Sequence, residues 1–173
     1  MKTAVYYQSM TGNTEKLAYA IASALPAGTS CEAIEAGTKS DADLLFVGFW
    51  TDKGTCPFDC AEFLSDLDGK KVALFGTCGM ESDEAYYNGI ISRVSGFIPS
   101  EDQLVGSFMC QGQMSSAIKE KYVSLLEKDP DDPRAKKMME IYEAGIGHPN
   151  KEDLLHAEEF AGKIYDSLNN EAS

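Results

Sequence analysis

Residues 6–21 read YYQSMTGNTEKLAYAI, and the way this stretch divides sets the architecture. The run leading into it, TAVYYQ (3–8), is short and rich in β-branched and aromatic residues, which favours a strand. On its far side Leu17, Ala18, Ile21, Ala22 and Leu25 recur at the helical period, so the chain passes from strand to helix. Between the two lie Ser9, Met10, Thr11, Gly12, Asn13 and Thr14, with no cation among them. The first amide groups of a helix lack intrahelical acceptors and sit at the positive end of its dipole, so such a turn can hold a phosphate dianion without lysine or arginine. The hydroxyls of Ser9, Thr11 and Thr14, the amide of Asn13 and the backbone freedom of Gly12 suit that task. Ser, Thr and Asn also cap ordinary helices, but a cap needs one of them rather than a cluster.

Outward from this stretch the alternation repeats. CEAIEA (31–36) reads as a short second strand, and DLLFVGFW (43–50) is nearly continuous apolar sequence, as expected of a parallel strand covered on both faces. A helix is expected from about Pro57 to Leu67, then a strand at KVALFG (71–76), a helix capped by Asp83 and ending near Val94 or Phe97, and a fifth strand at QLVGSFMCQ (103–111). Strands alternating with helices imply a parallel sheet with right-handed crossovers and helices on both faces. Three helices follow, over 115–127, 134–144 and from Asn150 to about Leu168, the last expected to cover the sheet beside the fifth strand. The whole of 1–173 reads as one domain, with about 115–148 a helical elaboration.

Composition narrows the function. Fifteen Lys and Arg stand against 28 Asp and Glu, a formal charge of −13, which repels nucleic-acid phosphate and anionic lipid and favours partners with basic docking surfaces. No apolar run approaches the roughly 20 residues that cross a bilayer, and MKTAVYYQSM turns polar too early for a signal peptide, so the chain reads as cytoplasmic and not membrane-bound. Five cysteines, an odd set, read as reduced thiols, and CPFDC (56–60) lacks the second Cys/His pair that a zinc site needs. His148 and His156 read as surface residues.

The sequence contains neither GxxxxGK[ST] nor a GxGxxG fingerprint, which disfavours an ATPase or a dinucleotide-binding fold. SMTGNT (9–14) instead resembles the phosphate loop of the flavodoxins, [ST]-x-T-G-x-T after the first strand. The resemblance covers about residues 2–112 and the last helix. It implies a flavodoxin-like three-layer α/β/α sandwich, a five-stranded parallel sheet of order 2-1-3-4-5, and FMN as cofactor. In that family the loops after the third and fourth strands close on the flavin ring; here they read WTDKGT (50–55) and TCGM (77–80). The implied cofactor-binding set is therefore Ser9, Met10, Thr11, Gly12, Asn13 and Thr14 with Trp50, Thr51, Asp52, Lys53, Gly54, Thr77, Cys78, Gly79 and Met80. Trp50 is either a stacking face for the ring, worth about 0.5–1.5 kcal/mol beyond burial, or a cap on the core. Gly54 permits the peptide rearrangement by which a flavodoxin carbonyl meets the protonated flavin N5, or is a plain turn residue, and Lys53 faces the N1/O2 edge or solvent. The family's second aromatic is delayed here to Tyr86 and Tyr87, on a helix, and Cys110, Gln111 and Gly112 end the fifth strand at the same rim.

GFWTDKGTC, FGTCG and MCQGQM further look like a subgroup of short flavodoxin-like proteins from anaerobic bacteria, which includes an accessory flavoprotein associated with bilirubin reductase. That likeness implies an electron carrier serving a partner reductase, one of tetrapyrrole reduction, rather than a stand-alone enzyme. The alternative is an FMN-dependent reductase acting directly on a small substrate such as a quinone, with Asp52, Glu81 or Asp83 as acid or base by position and 115–148 as a lid. A flavin-free scaffold is the third reading. A response regulator would need acidic residues where Gln8 and Ser9 stand, and a low-molecular-weight phosphatase would need Cys and Arg framing the loop.

Overall fold

The computed structural model describes residues 1–80, 83–100 and 103–171. Strand β1 (Thr3–Tyr7) leads into α1 (Asn13–Ser23), followed by β2 (Ser30–Ala33), β3 (Leu44–Trp50), α2 (Phe58–Ser65), β4 (Lys71–Cys78), α3 (Glu84–Ser95) and β5 (Leu104–Gln111). Helices α4 (Ser116–Lys128), α5 (Pro133–Gly145) and α6 (Lys151–Glu171) complete the described chain. Every strand pair is parallel and the order is β2-β1-β3-β4-β5, as expected from the alternation and the flavodoxin resemblance.

The near-continuous apolar run of β3 has a direct cause. Leu45, Val47 and Phe49 point to a core shared with α2 and α3, whereas Leu44 and Phe46 point to a core shared with α1 and α6. Neither face meets water. Two glycines then let the central strands exchange aromatic rings. Gly48 is the register partner of Phe75 and Phe49 of Gly76. A Cβ on Gly48 would stand 2.2 Å from the Phe75 ring, and one on Gly76 2.8 Å from that of Phe49. Each ring fills the space above the neighbouring strand's glycine, so any side chain at either position would collide with it.

The departures from expectation also have local causes. β2 covers four residues, because the chain leaves the sheet edge at Ile34, whose N–H is held by Tyr7 O at 2.7 Å. The passage to β3 over 34–43 contains no helix, and buried Ile34 and Ala42 fill that part of the α2/α3 face. β4 continues two residues beyond 76, since Thr77 pairs with Trp50 on one side and Cys110 on the other. α6 covers β5 as expected: a Cβ on Gly106 would meet Ile164 Cδ1 at 2.6 Å, so the helix lies directly on that strand. Its start is a reciprocal cap, Asp153 N–H donating to Asn150 Oδ1 (3.0 Å) and Asn150 N–H to Asp153 Oδ2 (2.8 Å). The helix runs to Glu171, three residues beyond the expected end. α4 and α5 pack on each other, with Tyr122, Ala135, Ile141 and Tyr142 buried. No disulfide joins the five cysteines, and no helix among the described residues is long and apolar enough to cross a membrane.

Candidate functional site

Between β1 and α1 the backbone bends sharply at Gly12, the N-cap, whose φ of +91° lies in the left-handed region that side chains disfavour. Having no side chain, Gly12 leaves the amide groups of the first helical turn without a side-chain cap. Ser9 Oγ accepts the Gly12 N–H at 3.1 Å, which leaves its own proton to donate outward. The carboxylate of Glu15, whose charge would oppose an anion at this helix end, accepts instead from the Tyr7 hydroxyl (3.2 Å). Two of the expected donors are engaged within the protein. Thr14 Oγ1 is buried 2.9 Å from Thr77 Oγ1, and Asn13 Nδ2 donates to Gln113 O at 2.8 Å. They fasten the loop to the ends of β4 and β5.

After β3 the chain makes a two-residue reversal. Asp52 N–H donates to Thr55 O (2.8 Å) and Thr55 N–H to Asp52 O (3.0 Å), with φ of +49° at Lys53 and +84° at Gly54. Two successive left-handed residues inside that pair of bonds define a type I′ turn. Glycine adopts this readily; for Lys53 it costs about 1–2 kcal/mol. From α3, Arg93 Nε donates to Gly54 O at 2.7 Å. The turn is also tied to β4, because Thr51 donates its N–H and its hydroxyl to Thr77 O, both at 2.9 Å.

These loops bound a cleft of about 360 Å³ at the carboxyl ends of the strands, beside the point where strand order reverses. Its size is that of a small-molecule site. Every expected site residue lines it except Gly12, which shapes the loop behind it, and Asp52, which is occupied in the turn. Trp50, Met80 and the exposed Met10 supply apolar wall, and Lys53 supplies a cation.

Sequence reasoning missed part of the lining. Tyr86, in the first turn of α3, reaches back to the cleft, and burial followed by the neighbouring Cys78 thiol raises its phenol above the ordinary range. The aromatic delayed in sequence is thus returned in space. Gly112, expected at this rim, lines the cleft, and Gln113, Met114, Ser115 and Ile118, which were not expected, form a further wall, with Met114 laid across Gly79 so that a Cβ there would be 2.5 Å from Met114 Cγ. The available signal was topological: β5 ends at the same edge of the sheet as β4, so the residues after it had to pass the cleft. Gln113 is anchored by donating its N–H to His148 O (2.8 Å) and by accepting Gly147 N–H at Oε1 (3.0 Å). His148, expected on the surface, is partly buried and bonded through Nδ1 to Asp153 (2.7 Å). Cys110 and Gln111 do not line the cleft; Cys110 is buried, and burial followed by the charge of Asp153 raises its thiol well above the ordinary range. Of the acids named by position, Asp83 accepts Tyr86 N–H (2.9 Å) as the cap of α3, and Glu81 lies outside the described residues.

Comparison with known proteins agrees with this geometry. Residues 4–162 match the family model described as Flavodoxin domain. The chain is 33% identical to the flavodoxin-like domain-containing protein BilS of Clostridioides difficile (strain CD3), across 93% of this chain and 94% of that protein. It is 37% identical to the protein of the same name from Clostridium symbiosum (strain WAL-14163), across 92% and 94%. Among solved structures, a flavodoxin from the domain Archaea superposes with a TM-score of 0.54 at 15% identity, covering 98% of this chain and 99% of that one, a likeness of fold. The sheet order, the cleft at its reversal and the two relatives similar over nearly their whole length lead to one assignment: the chain belongs to the flavodoxin-domain family.

Proposed function

We propose that the protein holds FMN noncovalently in this cleft and passes its electrons to a partner reductase, one that acts on a tetrapyrrole such as bilirubin. The residues present fit the cofactor at both ends. The uncapped first turn of α1, with the hydroxyls of Ser9 and Thr11, suits a phosphate dianion, and the aromatic and thioether walls suit a flat tricyclic ring. Bound FMN supplies the redox chemistry, taking up one or two electrons. Trp50, Tyr86, Met80 and Met114 keep water from the ring, the Thr14–Thr77–Thr51 connection holds the phosphate and ring loops in fixed relation, and Lys53 offers a positive charge to the electron-rich edge. The acidic remainder of the surface favours docking of basic faces, and five unpaired thiols go with a cytoplasmic setting.

One observation carries the choice of carrier over enzyme. Among the described residues lining the cleft there is no carboxylate and no imidazole, so the acids named by position, Asp52 and Asp83, are not presented to a bound substrate. The competing reading, a reductase acting directly on a quinone, draws on Ile118 of α4, which brings the 115–148 segment to the cleft as a wall for a second molecule. The purified protein's visible spectrum tests the proposal: flavin absorption, with FMN rather than FAD released on denaturation, is expected. A preparation that stays colourless with excess FMN ends it, and turnover of quinone or tetrapyrrole by the isolated protein with NAD(P)H decides for the competing reading.

A further inference from the structure

We infer that Asn13 and Gln113 are positioning residues that tie the first turn of α1 to the 145–148 turn, so that the grip on the flavin phosphate depends on the base of the α4–α5 hairpin; this rests on the FMN reading. The Asn13 side chain is spent inside the protein. Its Nδ2 donates to Gln113 O at 2.8 Å. The amide also lies over Gly112, where a Cβ would stand 2.9 Å from Nδ2 and 3.4 Å from Asn13 Cβ. Held between the exit of β5 and the carbonyl that follows it, this amide fastens the loop.

Gln113 carries the connection onward. It donates its N–H to His148 O at 2.8 Å and accepts Gly147 N–H at Oε1 at 3.0 Å. His148 Nδ1 lies 2.7 Å from Asp153 Oδ2, which also accepts Asn150 N–H (2.8 Å) where α6 begins. α1 and α6 pack on each other in one core through Leu17, Ala18, Ala157 and Ala161. The bonds running from Asn13 to Asn150 therefore close a ring across the starts of two packed helices. Hydrogen bonds in such a ring form together, and losing one weakens the rest.

The hairpin is pinned by the same residue. Gln113 stands just before α4, which starts at Ser116, and it holds Gly147 and His148 just after α5, which ends at Gly145. A lid needs a free hinge at its base. Here the two ends of the hairpin are bonded to each other, and they cannot part without moving Gln113, whose carbonyl is the acceptor for Asn13. A displacement at the base thus reaches the loop whose uncapped amides face the phosphate.

Gln113 is exposed and Asn13 half-buried, so truncating either leaves the core intact. Wild-type, N13A, Q113A and N13A/Q113A proteins are compared by two measurements: amide hydrogen exchange at Gly147 without cofactor, and dissociation constants for FMN and for riboflavin, which lacks the phosphate, from quenching of flavin fluorescence. N13A is expected to raise Gly147 exchange roughly threefold although Asn13 does not touch Gly147, and each single variant to weaken FMN by a similar factor, the lower end of what one net hydrogen bond carries. Riboflavin affinity is expected to stay unchanged. Because both substitutions break one connection, the double variant should bind FMN no more weakly than the poorer single one. Losses that multiply to about ninefold in the double variant overturn the inference, since Asn13 and Gln113 then act separately. An equal loss of riboflavin in Q113A overturns it as well, reducing Gln113 to a piece of cleft wall, and so does Gly147 exchange that ignores N13A. The exchange measurement needs no cofactor: a protein whose Gly147 responds to N13A but which binds no FMN keeps the brace, ends the FMN reading and removes the consequence for the phosphate.

Discussion

The hydroxyls of Thr14, at the start of α1, and Thr77, at the end of β4, lie 2.9 Å apart with the residues 0% and 4% exposed, while the Thr77 carbonyl accepts two bonds from Thr51. One residue thereby joins the loop before α1 to the ends of β3 and β4. Valine matches threonine in shape but lacks the hydroxyl, so T77V strands the Thr14 hydroxyl in a dry site and T14V does the converse. Each single change is expected to cost about 1–3 kcal/mol of stability. The double variant T14V/T77V removes both polar groups and should cost clearly less than the sum. Urea unfolding of the four proteins measures this, and additive losses would show that the two hydroxyls do not depend on each other.

Gly79 and Met114 make a second coupled pair, this one on the cleft wall. A methyl at Gly79 would press on Met114 Cγ at 2.5 Å and on Sδ at 3.1 Å, and because Cγ lies near the root of the side chain, the whole methionine must turn. Overpacking of this kind costs about 1–3 kcal/mol. G79A is expected to weaken FMN binding at least severalfold, while G79A/M114A, which removes the obstruction, recovers much of the loss. Quenching of FMN fluorescence on titration supplies the constants. Equal affinity of G79A and wild type would place Met114 away from the bound ring.

The fold was legible because burial on both faces leaves a plain record in sequence: DLLFVGFW and KVALFG are apolar without a break, and the polar SMTGNT separates a strand period from a helix period. What could not be read was spatial return. Tyr86 belongs to a helix and Met114 to a connection that carries no motif, and they reach the cleft only because α3 starts beside it and β5 ends beside it. The donor roles of Asn13 and Thr14 were also hidden, because the same amide and hydroxyl that could meet a phosphate can meet Gln113 and Thr77. Residue type fixes hydrogen-bonding capacity; the partner is decided by tertiary contact.

Cys31 gives a pH dependence with a definite sign. Burial first, then the charges of Glu15 and Glu32, push its thiol from 9.0 to about 11. Between those values the unfolded chain has released a proton that the folded chain retains, so stability falls as pH rises through this window. Tyr7 and Cys110, both also raised, act in the same direction. C31S removes the Cys31 contribution, and its urea midpoint should fall less steeply than that of wild type from about pH 9 to 11. Comparing slopes separates this from any fixed cost of the substitution. Parallel curves would assign the alkaline loss to the other groups.

Salt should act in opposite directions on the cofactor and on the partner. In the proposed site the formal charge of −13 would repel an FMN phosphate during binding, and the SMTGNT loop contributes no cation to offset it, so the grip would be made by neutral donors. A basic docking face is attracted by the same field. The screening length falls from about 10 Å at 0.1 M salt to about 3 Å at 1 M. Raising the salt concentration is therefore expected to tighten FMN binding modestly while slowing electron transfer to a basic partner by on the order of tenfold or more. Titration of the FMN-free protein and stopped-flow oxidation of the reduced protein, each across a salt series, yield the two slopes. If FMN binding also weakens with salt, its phosphate is held by a cation, and Lys53, which lines the cleft, becomes the residue to replace. A flat transfer rate would instead show that the partner docks without the help of this charge.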